Sequence, residues 1–265
     1  MQGWLFFWFL KILCALSGNN ESCELLHFQH YLFDKNKALV LKYFVGDKIM
    51  AFCICLSLIV GYLMGSISVS VILSKTLFKG DVRKHGSGNA GATNMARVYG
   101  AKGGLLVLLG DFLKAILACA IVLLILEDKY TEVAIMLTGI SCMLGHAYPI
   151  YFKFKGGKGV TVGAAIALVI DWKILAFIFI VFFVTFMLTH IVSISSIMGA
   201  LGLICSTLTF YLLNVYGVAG GFFANFTAYR LILAVSASVL SVWLHRANII
   251  RLIKGEEKVF SFKKK

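Results

Sequence analysis

The stretch VTVGAAIALVI, residues 160–170, decides the fold. It is apolar from end to end, yet only about half as long as the ~20 residues a helix needs to cross a bilayer. Longer apolar runs surround it, at 49–77, 103–126, 133–150, 173–190, 197–217 and 229–245. If the short stretch crosses, packed against protein rather than lipid, the chain has seven spans. If it does not, every segment beyond residue 170 changes sides. Loop charge separates the two cases. Residues 78–102 carry Lys79, Arg83, Lys84, Arg97 and Lys102 against Asp81, and residues 151–159 carry Lys153, Lys155 and Lys158. The tail beyond His245 carries Arg246, Arg251, Lys254, Lys258 and three terminal lysines against Glu256 and Glu257. The alternate connections, EDKYTE, DWK and the uncharged stretch from Asn214 to Tyr229, are poor in base. Seven crossings put every basic segment on one side, which the positive-inside rule assigns to the cytoplasm. The expected fold is an all-α integral membrane bundle of seven helices, one of them short, with its motif loops on the cytoplasmic side.

Composition supports a membrane protein. Of 265 residues, 60% are hydrophobic and 14% charged, and the mean hydropathy is +0.90, whereas a soluble domain is about half apolar and about a quarter charged. The net charge of +13 is explained by basic cytoplasmic loops, so no nucleic-acid partner is invoked. The seven cysteines are scattered through apolar runs and show neither a disulfide framework nor zinc-ligand spacing. Residues 1–48, with the aromatic run WLFFWFLKILCAL and the polar patch SGNNESCE, read as an N-terminal extension ahead of a single domain over 49–265. A signal-like or interfacial segment is the other reading.

Four polar segments interrupt the apolar chain. In GSGNAGATNMARVYG, 86–100, Gly86, Gly88 and Gly91 interleave with Ser87, Asn89, Thr93 and Asn94, and Arg97 follows. Glycines let backbone amides approach an anion, and a guanidinium matches phosphate geometry. Glycine-rich composition also fits a flexible loop with helix-packing glycines. In GHAYPIYFKFKGGKGVTVG, 145–163, Gly156, Gly157 and Gly159 flank Lys158 just before a helix start, an arrangement suited to anions. It lacks the GxxxxGK[ST] spacing of a nucleotide-binding loop. Lys153 and Lys155 read as surface anchors, and His146 as filling a hydrogen-bonding position. In THIVSISS, 189–196, Ser193, Ser195 and Ser196 lie between spans, where serines serve mostly as helix caps. In HRANIIRLIKGEE, 245–257, His245 and Asn248 are three apart and share a helix face, while Arg246 and Arg251 suit an interfacial role. Within the second span Asp111 and Lys114 share a face, as a mutual ion pair or as part of a site.

Taken together and in order, GSISVSVILSK, GSGNAGATNMARVYG, GDFLKA, GHAYPIYFKFKGGKGV, VSISSI and HRANIIRLIKGEE resemble the acyl-phosphate:glycerol-3-phosphate acyltransferase (PlsY) family over most of the chain beyond residue 50. The resemblance implies a seven-helix enzyme of the bacterial plasma membrane with its active site facing the cytoplasm. It would pass an acyl group from acyl phosphate to the 1-hydroxyl of glycerol 3-phosphate, giving 1-acyl-glycerol 3-phosphate and phosphate, the first step of phospholipid biosynthesis. Carried onto this sequence, it implies catalytic roles for Ser87, Arg97, Lys158, His245 and Asn248. It implies substrate contacts from Gly88, Asn89, Thr93, Asn94, Gly156, Gly157, Gly159, Ser193 and Glu256. No cofactor or metal is implied, and no side chain is marked as a base, because the phosphate of the donor is suggested to accept the hydroxyl proton. Two positions depart from the family pattern. Ser68 stands where proline is usual, and His190 where arginine is usual, which would weaken an anion contact there. A small-anion or lipid transporter would also use glycines and buried charges, but the halves of the chain show no convincing repeat. A regulatory descendant of the enzyme would have lost Ser87, Arg97, Lys158 and Asn248, all of which are present.

Overall fold

A computed structural model of the chain describes residues 49–126, 130–217 and 226–260. The expectations for residues 1–48 lie outside these. The chain divides into two compact units, Met1–Phe52 and Cys53–Lys265. Only residues 49–52 of the first are described.

All regular structure among the described residues is helical. Helices α1 (residues 49–65) and α2 (Val69–Thr76) form the first apolar run, broken at 66–68. They are followed by α3 (Ala92–Tyr99), α4 (Ala101–Ile125), α5 (Thr131–Ala147), α6 (Val160–Ile170), α7 (Trp172–Thr189), α8 (Val192–Val215), α9 (Ala228–Leu244) and α10 (Arg246–Ile253). Five helical segments are long and apolar enough to cross a membrane: Ile49–Thr76, α4, α5, α7 and α8. A sixth arises if α9 and α10, bent by 55°, are one broken span. The chain is thus a multi-pass helical membrane protein.

The short stretch forms α6 over the expected residues. It buries Val162, Ala165, Ile166, Ala167 and Ile170 and packs against α4, α5, α7, α8 and α9. At about 1.5 Å per residue it spans about half of a ~30 Å hydrocarbon layer, so both of its ends need protein partners. At the C-terminal end Arg230 of α9 donates to the Ile170 carbonyl (3.0 Å) and pairs with Glu132 (3.2 Å). At the N-terminal end stands the glycine turn before Val160. By contrast α7, rich in phenylalanine, buries only Ile174 and Ile178 and forms an outer wall.

Close helix contact comes from small residues, which carry association in lipid, where hydrophobic drive is weak. Gly61 and Gly65 of α1 meet α5, where a Cβ on either would lie 2.5 Å from the Thr138 carbonyl oxygen or 2.1 Å from that of Cys142. The break at 66–68 forms without a proline. Its Ile67 carbonyl, freed from the helix ladder, accepts from Lys114 Nζ at 2.7 Å. A lysine from the neighbouring helix thus satisfies a backbone group that lipid cannot.

Candidate active site

The glycine-rich loop is held by one side chain. Asn94, 2% exposed, accepts from the Ser87 amide (2.8 Å) through Oδ1. Through Nδ2 it donates to the carbonyls of Val82, His85 and Asn89 at 3.0–3.1 Å. The loop folds around it, and Gly86 (φ +66°) has no room for a side chain, since a Cβ would lie 2.2 Å from Asn94 Oδ1. Asp81 and Arg83 join this loop to the next. Their paired hydrogen bond holds the Asp81 carboxyl at about 2, and Arg83 reaches the Phe152 carbonyl at 2.8 Å. The Ala90 amide bonds the Gly156 carbonyl at 3.3 Å.

The GGKG turn is laced to the end of α5. Gly156 and Gly157 donate to the Ala147 and His146 carbonyls at 3.2 and 3.0 Å. Gly159, at φ +76°, then starts α6. Lys158 points away from this backing and donates to Asn248 Oδ1. Asn248 Nδ2 in turn donates to Glu257 Oε1 (2.7 Å), which also accepts from Ser193 Oγ (3.0 Å), while Arg251 Nε donates to Oε2 (2.7 Å). Burial pushes the Glu257 carboxyl up, but bonds from Arg251, Asn248 and Ser193 outweigh it and leave the group below its usual range. Burial lowers Lys158 to about 8, Glu257 opposing and Arg251 and Arg97 assisting. His245, 2% exposed, has Nδ1 2.8 Å from the Ser241 carbonyl. A carbonyl only accepts, so Nδ1 carries the proton and Nε2 keeps its lone pair.

These elements enclose a cleft of about 330 Å³. The residues that begin α3, α6 and α8 all line it, and none of these three helices has a side-chain cap. Uncapped helix starts present free amides and the positive end of the helix dipole. Arg97 lines the cleft, is exposed, and makes no hydrogen bond or ion pair with another described residue. An apolar groove of about 280 Å³ adjoins the cleft and shares Ala92, Thr93, Leu108, Phe182 and Val192 with it. Ala96 and Gly104 on one side and Phe186 and Phe260 on the other extend it. The combination suits a molecule with an anionic head and an apolar chain. Among the described residues no group of three His, Cys, Asp or Glu side chains is placed to hold a metal ion.

Of the residues singled out in the sequence, Ser87, Asn89, Thr93, Asn94, Arg97, Lys158, Gly159, Ser193, His245 and Asn248 line the cleft. Gly88, Gly156 and Gly157 do not; the latter two form the back of the turn. Glu256 is exposed and outside the cleft, whereas its neighbour Glu257 lies inside. A left-handed Gly255 (φ +70°) ends α10 and turns the chain back, bringing the second glutamate inward. Two adjacent glutamates carry no local signal to separate them. Arg251, read as interfacial, also lines the cleft. The serine segment is the first turn of α8 rather than a connection. Ser195 and Ser196 bond back to the carbonyls of Ile191 and Val192 instead of capping. His190 is outside the cleft lining. Its ring stands edge-on to Phe186, and its carbonyl accepts from the Phe260 amide at 2.8 Å.

Residues 55–255 match the family profile described as glycerol-3-phosphate acyltransferase. The chain is 39% identical to the glycerol-3-phosphate acyltransferase of Bacillus subtilis (strain 168), over 78% of this chain and 97% of that one. It is 36% identical to that of Finegoldia magna, over 75% and 92%. Among solved structures it is similar to PlsY (YgiH), an integral membrane glycerol 3-phosphate acyltransferase, in its glycerol 3-phosphate form. That match has a TM-score of 0.66 and 32% identity, covering 78% of this chain and 96% of that one. The lysophosphatidic acid form matches with a TM-score of 0.64. The chain whose loops build this cleft therefore belongs to the glycerol-3-phosphate acyltransferase family.

Proposed function

We propose that the cleft transfers an acyl group from acyl phosphate to the 1-hydroxyl of sn-glycerol 3-phosphate, releasing 1-acyl-glycerol 3-phosphate and inorganic phosphate for phospholipid synthesis. The observation that carries this reading is the convergence of three uncapped helix starts, Arg97 and Lys158 on one cleft that runs into an apolar groove. Both substrates bring phosphate and one brings a chain. Arg97, Lys158 and the helix amides hold phosphate oxygens and stabilise charge that develops as the carbonyl is attacked. Ser87, with Asn89 and Thr93, orients phosphate oxygens from the glycine loop. Asn248, held by Glu257, presents Lys158 and bonds glycerol 3-phosphate. His245, which lines the cleft beside Asn248, orients that side chain or the substrate.

In the step itself the hydroxyl oxygen bonds to the acyl carbon, the bond from that carbon to the phosphate oxygen breaks, and the hydroxyl proton leaves with the departing phosphate. The donor is already activated, so alignment supplies much of the rate. In this reading the chain crosses the plasma membrane seven times, counting α6, with 78–102, 151–159, 189–196 and 246–265 in the cytoplasm, as the basic bias of that side supports. The test is purified protein with glycerol 3-phosphate and either acyl phosphate or acyl-CoA of matched chain length, with and without EDTA. Lysophosphatidate is expected from acyl phosphate alone, with EDTA without effect. Turnover of acyl-CoA, or abolition by EDTA, refutes the chemistry. External labelling of a cysteine placed at Ser87 refutes the topology.

A further inference from the structure

Behind the GGKG turn, three buried ionisable side chains meet. Lys114 Nζ lies 3.0 Å from His146 Nδ1, 2.7 Å from the Ile67 carbonyl and 2.8 Å from Asp111 Oδ1. All three side chains are buried, and Asp111 and His146 also line the cleft. Asp111 Oδ1 pairs with the ammonium at 2.8 Å and lies 3.6 Å from His146 Nδ1, too far for a hydrogen bond from the ring. An ammonium has three donors and no acceptor. The nitrogen of His146 that faces Lys114 is therefore the unprotonated one, and the neutral ring carries its proton on Nε2.

That second nitrogen faces the turn. A Cβ on Gly157 would lie 2.2 Å from His146 Nε2, and the Gly157 amide already bonds the His146 carbonyl at 3.0 Å. The turn rests on this imidazole, and the imidazole rests on Lys114. Lys114 also holds the break of the first span, so one ammonium couples α4, that break and the end of α5. A lysine needed only to neutralise Asp111 would not have to touch the imidazole.

We propose that Lys114 is a positioning residue for the phosphate-binding turn, acting through His146, whose ring it fixes with Nε2–H toward residues 156–159. The inference rests on the reading of that turn as a phosphate site. The test uses the full chain in detergent, with kcat and KM for glycerol 3-phosphate measured at saturating acyl phosphate. Lys114→Met strands the buried Asp111 carboxylate, so Lys114→Met is also combined with Asp111→Asn, which leaves no unpaired charge. His146→Gln carries an amide N–H to the Nε2 position, whereas His146→Asn reaches only the Nδ1 position. The double variant should keep its melting temperature and raise KM about tenfold or more, as expected when a binding turn is misplaced. His146→Gln should retain more activity than His146→Asn. Nitrogen NMR of histidine-labelled protein should show His146 protonated at Nε2 in the parent chain and lose that single tautomer in the lysine variant. A folded double variant with parental KM, an Asn variant as active as the Gln variant, or a parent protonated at Nδ1 overturns the proposal. Parent protein without turnover would instead refute the functional reading, and the NMR result would still decide the tautomer.

Discussion

Replacing Gly156 with alanine isolates the role of the turn, because it removes no charge and no hydrogen-bonding group. A Cβ there would lie 2.0 Å from the His146 carbonyl oxygen, 2.7 Å from that of Ala147 and 2.7 Å from Pro149 Cδ. Two of these are backbone atoms and the third belongs to a proline ring, so none can rotate away. Ordinary van der Waals contact begins at 3.4 Å, and the turn must retreat by about 1 Å or more. Its hydrogen bond to the Ala147 carbonyl is lost, and the Ala90 amide bonded to the Gly156 carbonyl is drawn with it. Both anion loops move, and Lys158 moves relative to Asn248. A displacement of about 1 Å in a positioned site costs about 100-fold in rate, while overpacking of this kind destabilises by about 1–3 kcal/mol. The assay is kcat/KM for glycerol 3-phosphate with acyl phosphate, alongside thermal unfolding. Gly163→Ala is the control, since nothing lies within 4 Å of its Cβ. It should leave turnover unchanged and add stability of up to about 1 kcal/mol, because alanine is the better helix former. Parental kcat and KM in Gly156→Ala would refute the view that the fixed seat of this turn positions the substrate.

Three further outcomes are expected. Glu257→Ala should lower kcat/KM about tenfold or more, since Ser193, Asn248 and Arg251 lose their shared acceptor and networked bonds fail together. Glu256→Ala should leave kcat/KM unchanged, and equal loss in both variants would refute the placement of the tail. Burial lowers Lys158 to about 8, so the ammonium needed for phosphate is lost as pH rises through that value. A kcat/KM profile, which reports the free enzyme, should fall above about pH 8. In Lys158→Arg that limb should vanish, because guanidinium stays charged; a limb that persists must be assigned to another group. Arg97→Ala, which removes an exposed cation from the cleft, should cost about 100-fold or more in rate without loss of folding, and near-parental turnover would mean phosphate binds elsewhere.

The sequence alone determined what depends on local composition. Apolar length and loop charge are properties of contiguous residues, and the helices begin and end within a few residues of the apolar runs. VTVGAAIALVI stands as α6 from Val160 to Ile170, a left-handed glycine fixing its start. The polar interruptions were legible for the same reason, because glycines, serines and basic residues are conspicuous in an oily chain. Tertiary structure decided which of them meet. Lys158 and Asn248 are 90 residues apart and Ser193 and Glu257 are 64 apart. In lipid most helix faces are apolar, so periodicity cannot say which face meets which neighbour. Small residues such as Gly61 and Gly65 do that by backbone approach. The fold also separated residues that look alike in the sequence. Glu257 enters the cleft and Glu256 does not, because Gly255 turns the chain between helix and tail. Asn94 became the pin of its loop by reaching three carbonyls, while Arg97, three residues on, stayed free to meet an anion. Lys114 and His146, 32 residues apart, show the limit most plainly: their types were visible in the sequence, but the contact between them exists only once α4 and α5 pack.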